Sequence, residues 1–168
     1  HGANGIAGEW GHNPLPWPDE HEWPGPPCWC GKRGCIETWL SGTGLAREAE
    51  AALGRPVKGE ALTAAAEAGE AGAEAVIAAY VERFAKATAT VVDLLDPDVV
   101  VVGGGVSGLG ALYREVPARW AAWVFADAVD TRLVAARHGD SSGVRGAAWL
   151  GRDRELGSDR ELTRSAAD

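Results

Sequence analysis

Gly8-Glu9-Trp10-Gly11-His12 and, after a proline-rich interval, Cys28-Trp29-Cys30-Gly31-Lys32-Arg33-Gly34-Cys35-Ile36-Glu37 are the residues that decide how this chain is read. They hold one histidine and then all three cysteines, spaced His-x15-Cys-x-Cys-x4-Cys. Three thiolates and one imidazole make a complete tetrahedral ligand set for zinc, and a closed set of four is the structural type. The alternative is a group of buried thiols with no metal. Glu9 lies three residues before His12, and Glu37 two after Cys35. A metal at His12, Cys28, Cys30 and Cys35 would therefore staple a loop that holds carboxylate and imidazole groups in place.

Between the ligands, Pro14, Pro16, Pro18, Pro24, Pro26 and Pro27 restrict the backbone. Residues 1–35 are rich in Gly, Pro and Trp, show no helical period and read as loop. No sustained apolar pattern orders them. Zinc can, since its binding is worth roughly 10–16 kcal/mol in small zinc modules.

The 168 residues suffice for one domain with a core, and a hydrophobic content of 46% makes the chain globular. The formal net charge of -8 argues against a nucleic-acid surface. No apolar run approaches the roughly eighteen residues of a membrane span. Three cysteines cannot all pair, and Cys28 and Cys30 are too close for an easy disulfide. Metal binding in a reducing cytoplasm is the expectation. The chain has no methionine and opens at His1, so a piece of a longer protein is expected, with essential chemistry before it.

Helices are expected over 36–53, broken at Ser41-Gly42-Thr43-Gly44, and over 61–68. The strongest is 72–95, where Val76, Ile77, Tyr80, Val81, Phe84, Thr88, Val91, Val92 and Leu95 recur at steps of three and four before Pro97. Val99-Val100-Val101-Val102 reads as a buried strand leading into Gly103-Gly104-Gly105. A helix over about 110–124, a strand at Thr131–Ala136 and a last helix from near Ser142 to Leu150 complete an α/β order. In 151–168 half the residues are charged and Asp-Arg-Glu-Leu occurs twice, which reads as a disordered tail. Trp10, Trp17, Trp23 and Trp29 crowd the loop; packing is the preferred role for most of them, with a ligand-stacking face or a subunit interface as alternatives. His1, His21 and His138 have no such neighbours and read as surface or structural.

The two quoted runs resemble the zinc signature of the ROK family (repressors, open reading frames, kinases). Gly5 to Trp17 is most similar to the fructokinase and mannokinase branch. Val99–Val106 resembles the family's adenosine-contacting strand and glycine turn, and His138-Gly139-Asp140 with Gly146-Ala147-Ala148 its C-terminal end. The resemblance covers 1 to about 150. It implies the C-terminal domain of the actin-like (ribonuclease H-like) sugar kinase ATPase fold with a zinc-stapled loop. The implied reaction is ATP-dependent phosphorylation of a hexose, fructose by preference; glucose, mannose or an N-acetylhexosamine are alternatives. A sugar-sensing domain of a ROK repressor is the rival from another class.

By the same resemblance Glu9, His12 and Glu37 contact the sugar, and Gly103, Gly104 and Gly105 the nucleotide. Without it, Glu9 would be a loop charge, Glu37 a first-turn helix acid, and the glycines an ordinary turn. His12 would bind zinc through one ring nitrogen and offer the other to a sugar oxygen. ATP and magnesium are implied for the complete kinase, as is a homodimer. The phosphate loops and catalytic Asp are expected N-terminal to this chain, leaving the segment alone inactive.

Overall fold

A computed structural model describes residues 2–150. The tail expected over 151–168 lies outside the described residues. Five helices and two strands follow the loop: α1 (Ile36–Leu40), α2 (Gly42–Leu53), α3 (Gly59–Glu67), α4 (Ala71–Leu95), β1 (Val99–Val102), α5 (Gly110–Trp120) and β2 (Arg132–Ala135). Residues 142–150 are helical as well. No helix among the described residues is long and apolar enough to cross a membrane.

Helix α4 is the spine. Its sequence alternates Ala73, Ala85, Ala87 and Ala89 with Val76, Tyr80, Val81, Phe84 and Val92, and all are buried. Alanine keeps the helix narrow and favours it intrinsically, so α1, α2, α3 and α5 all pack against it. The larger side chains fill the gaps, each contributing about 1.5–3 kcal/mol when buried. Two of them also satisfy polar atoms. Tyr80 donates to the carbonyl of Leu40 at 2.7 Å, which closes the end of α1, and burial pushes its phenol well above the usual range. Trp120, fully buried on α5, donates to Thr88 Oγ1 at 2.9 Å. The helix stops where expected. Asp96 takes a left-handed cap with φ 43°, its N–H bonds the Val92 carbonyl at 2.8 Å, and Pro97 follows.

Two sequence expectations need correction here. Val99–Val102 is not a buried strand: Val101 is 57% exposed and Val99 37%. β1 pairs in parallel with β2, Val100 opposite Leu133, and among the described residues that sheet has two strands. One face meets helix α5 through β2; the alternate residues Val99 and Val101 are exposed among the described residues. A run of four valines cannot say whether both faces are covered. The helix expected over 110–124 ends at Trp120. The chain turns there, and Trp123 instead stacks on Trp17 at 5.2 Å with 28° between the rings.

That stack is part of what fastens the Pro-rich loop to the helices. Glu22, 6% exposed, accepts from Arg83 Nε at 2.6 Å and sits 3.6 Å from Lys86 Nζ, both on α4. Lys86 also donates to the Trp17 carbonyl at 2.9 Å. Arg83 reaches Glu48 on α2 at 3.4 Å and lies over the Trp39 ring at 4.3 Å. Charges this buried persist only when paired, and removing one partner leaves the others uncompensated. Glu22→Ala should therefore lower the unfolding free energy by about 3–5 kcal/mol in urea denaturation. Glu20→Ala, which removes only an exposed contact with His21 at 3.6 Å, should cost under about 1 kcal/mol. Equal, small costs for both would mean that this network does not fasten the loop.

Candidate metal centre and adjoining cleft

The loop folds back on itself so that its two halves meet. Pro14 and Cys35 form an antiparallel bridge, with Ile36 N–H donating to the Asn13 carbonyl and Leu15 N–H to that of Gly34, both at 2.9 Å. A second bridge pairs Pro27 with Arg33; Cys28 N–H bonds the Lys32 carbonyl at 2.8 Å. The two passes cross backbone to backbone at Gly25 and Gly34, whose φ values are 77° and 68°. A Cβ on Gly25 would lie 2.5 Å from Gly34 Cα, so glycine is required on grounds of both space and φ.

His12 ends a short 3-10 turn, Glu9–His12, held to α4 by Trp10 Nε1 donating to Thr90 Oγ1 at 3.4 Å. Cys35 is the residue before α1, and Glu37 lies in that helix's first turn. The ligand atoms of His12, Cys28, Cys30 and Cys35 all lie within 4.8 Å of one another. Cys30 Sγ is 3.7 Å from Cys35 Sγ, and Cys28 Sγ is 3.6 Å from His12 Nδ1. A tetrahedral zinc with its ordinary bond lengths needs a sulfur–sulfur edge of about 3.8 Å and a sulfur–nitrogen edge of about 3.6 Å. Those two edges match such an ion, and the other pairs of ligand atoms lie within 4.8 Å. A backbone hydrogen bond from Lys32 holds the Cys30 thiol down to about 7, toward the thiolate that metals bind. Burial, with the neighbouring thiols, pushes Cys35 up to about 12; a cation at the centre opposes that preference.

The geometry also resolves the imidazole. Nδ1 faces the sulfurs, and Nε2 faces the Glu37 carboxylate with Oε2 at 3.9 Å, beyond direct hydrogen-bonding distance. Oε1 of Glu37 accepts from Trp29 Nε1 at 2.7 Å. Gly11 sits close to Glu37: a Cβ there would be 3.5 Å from the Glu37 Cβ. Of the expected sugar residues, His12 and Glu37 are thus brought together. Glu9 is exposed at the start of the same 3-10 turn, and the structure gives it no side-chain partner. His21 and His138 are exposed and stand apart, as expected.

A separate cleft of about 710 Å³ opens between the start of α2, helix α3 and the turn after β1. Gly105 lines it; Gly103 and Gly104 do not. Gly104 has φ 80° and turns the chain, its N–H reaching the Gly139 carbonyl at 3.4 Å, while Gly103 lies against Ala136 and Ser142. The other walls include Gly42, Thr43, Lys58 and Thr63. Sequence reasoning read Gly42 and Thr43 only as a helix break and passed over Lys58 and Thr63. No local motif marks them, because the chain folds them together from separate helices.

The ROK family model matches residues 1–154. An N-acetyl-D-glucosamine kinase of Vibrio atlanticus is 37% identical over 155 residues, 89% of this chain and 51% of that protein. The crystal structure of a ROK hexokinase from Thermus thermophilus aligns with TM-score 0.68 and 31% identity, over 91% of this chain and 51% of that one. A ROK family glucokinase from Streptomyces griseus, solved with glucose and AMPPNP, aligns with TM-score 0.72 and 28% identity, over 89% and 52%. The chain spans about half the length of the curated relatives it matches.

The four-ligand set predicts about one zinc per chain by elemental analysis of protein purified without chelator. Cys30→Ser should lose that zinc and destabilise the protein more than alanine at the exposed Trp23 does. Protein far below stoichiometric zinc with an undiminished denaturation midpoint would refute the site.

Proposed function

The chain belongs to the ROK family and has the actin-like ATPase fold of its solved neighbours, and from that premise we propose that it is the C-terminal part of an ATP-dependent sugar kinase with a structural zinc. The observation that carries the proposal is the meeting of His12 and Glu37 across a 3.9 Å gap beside the cysteine set. His12 Nδ1, Cys28, Cys30 and Cys35 would hold the zinc, which supplies a fixed, closed loop. His12 Nε2–H and Glu37 Oε2 then form a donor and an acceptor that one hydroxyl, placed beside the pair, can reach together. A sugar hydroxyl there donates to the carboxylate and accepts from the imidazole. Glu9, on the same 3-10 turn as His12, is the second acceptor. Fixing the ring orients the attacking hydroxyl, and positioning contributes much of the rate in phosphoryl transfer.

The nucleotide belongs in the cleft. Its volume lies within the ordinary range for small-molecule sites, and Gly105 presents bare backbone at its wall. ATP with magnesium is the phosphoryl donor of the complete kinase. Helix α1 carries Glu37 and α2 begins two residues after α1 ends, with Gly42 and Thr43 in the cleft wall. Sugar and nucleotide sites are thus joined by one short stretch of chain. The phosphate loops and catalytic carboxylate lie N-terminal to this segment in the complete protein, which acts in the cytoplasm as a homodimer.

N-acetyl-D-glucosamine is the preferred sugar. The Vibrio atlanticus relative carries that name and spans 89% of this chain. The fructose expectation rests on residues 5–17 alone, and the Vibrio atlanticus and Streptomyces griseus relatives are named for other sugars.

In the full-length protein, Glu9→Gln and Glu37→Gln should each lower kcat/KM for the sugar about tenfold or more, since a charged acceptor is lost. KM for ATP and zinc content should hold. The isolated 168-residue chain should release no ADP in a coupled assay with N-acetyl-D-glucosamine. Wild-type sugar kinetics in both variants would remove these carboxylates from the sugar site. Sugar binding without phosphoryl transfer by the full-length protein would favour the sugar-sensing regulator instead.

A further inference from the structure

Trp29 is 81% exposed, yet it is placed more firmly than an exposed tryptophan need be. It stands between Cys28 and Cys30, so its backbone is fixed on both sides by residues of the metal set. Its indole N–H donates to Glu37 Oε1 at 2.7 Å. Its ring meets His12 edge-on, with centroids 4.8 Å apart and planes at 84°. One side chain therefore touches both residues that face each other across the 3.9 Å gap. Exposure alone does not set it apart. Trp23 is 72% exposed and Phe125 99%, and neither forms a hydrogen bond or ring contact with Glu37 or His12.

We propose that Trp29 is a sugar-contacting, specificity-determining residue whose N–H aims Glu37 and whose open face takes the C–H face of a gluco-configured pyranose. The inference rests on the sugar site proposed above and names what distinguishes one sugar from another there. The hydrogen bond occupies Oε1 and turns Oε2 toward His12 Nε2, which is the orientation a bridging hydroxyl requires. A hydroxyl that bridges the pair from beside it comes next to the indole, which contacts both residues. An indole is amphipathic: a polar edge, which here is used by Glu37, and a large polarizable face. In a gluco-configured pyranose the ring substituents are equatorial, so both faces present axial C–H bonds. Those faces are apolar and flat enough to cover the indole. Fructose offers furanose forms or a pyranose with an axial hydroxyl, and either would put a polar group against the ring without a partner, at a cost. Rigid aromatic surface of this kind loses little conformational freedom on binding.

The test is calorimetric titration of the full-length protein with N-acetyl-D-glucosamine, glucose and fructose. Trp29→Ala should weaken N-acetyl-D-glucosamine about tenfold, because both the contact face and the alignment of Glu37 go. Trp29→Phe keeps a face and loses the N–H, so it should recover part of that loss. The preference for N-acetyl-D-glucosamine over fructose should shrink in the Ala variant. Zinc content and the denaturation midpoint should match wild type, which separates a binding role from a packing one. Wild-type affinity and wild-type preference in both variants would overturn the inference and leave the sugar site standing. Failure of the wild-type protein to bind any of the three sugars would overturn the sugar site, and this inference with it.

Discussion

Four ligand atoms from two distant parts of the loop converge to within 4.8 Å, and the arrangement around them follows from that convergence. His12 comes from a 3-10 turn fastened to α4; Cys35 starts α1; Cys28 and Cys30 come from a tight hairpin between them. Cys35 leads into α1, whose Ile36, Trp39 and Leu40 are buried in the core, and the turn that ends at His12 packs Trp10 against it. The hairpin that carries Cys28 and Cys30 is short, rich in proline and glycine, and largely exposed. A shared cation would tie that hairpin to His12 and Cys35, since zinc binding is worth roughly 10–16 kcal/mol in small zinc modules. The consequence for chemistry is indirect. Ligation through Nδ1 would leave Nε2 of His12 pointing at Glu37, and the residue between Cys28 and Cys30 is Trp29. The Glu37 carboxylate and the Trp29 ring thus adjoin the cluster.

The loop is held at a second place, independent of the metal. Glu22 sits below the surface against Arg83 and Lys86, and Trp17 stacks on Trp123. Both partners belong to the helical body, one set on α4 and the other just after α5. Burying a carboxylate with two cations is costly unless the geometry is good. Here the 2.6 Å contact with Arg83, the carbonyl of Trp17 and the second carboxylate of Glu48 meet that condition. A metal at the cluster would close the loop on itself, and the ion network seats it on α4. Since α4 also packs α1, α2, α3 and α5, the loop, the cleft and the core share one support.

Much of this was legible in the chain. The ligand set could be read from residue type and spacing alone, because few chemistries want one imidazole and three thiols. Helix α4 was legible from its period, its alanines and Pro97. What escaped had a common physical cause: it depends on which segments meet in space. Val99–Val102 reads as buried because a valine run carries no information on whether a second layer covers it. Glu22 reads as one more loop charge, and its partners lie 61 and 64 positions away (Arg83 and Lys86). The cleft is assembled from α2, α3 and the turn after β1, so only Gly105 of the expected three glycines reaches it. For Trp29 the sequence leaves loop packing, a sugar-stacking face and a subunit interface open; in the structure its ring is exposed and its N–H is committed to Glu37. Tryptophan in a crowded loop gives no sign of which way it faces.

Zinc K-edge X-ray absorption of the purified protein tests the central claim most directly. The account predicts a bound zinc with three sulfur neighbours at about 2.3 Å and one nitrogen at about 2.0 Å. A shell dominated by oxygen, fewer than three sulfurs, or no zinc at the edge would contradict it.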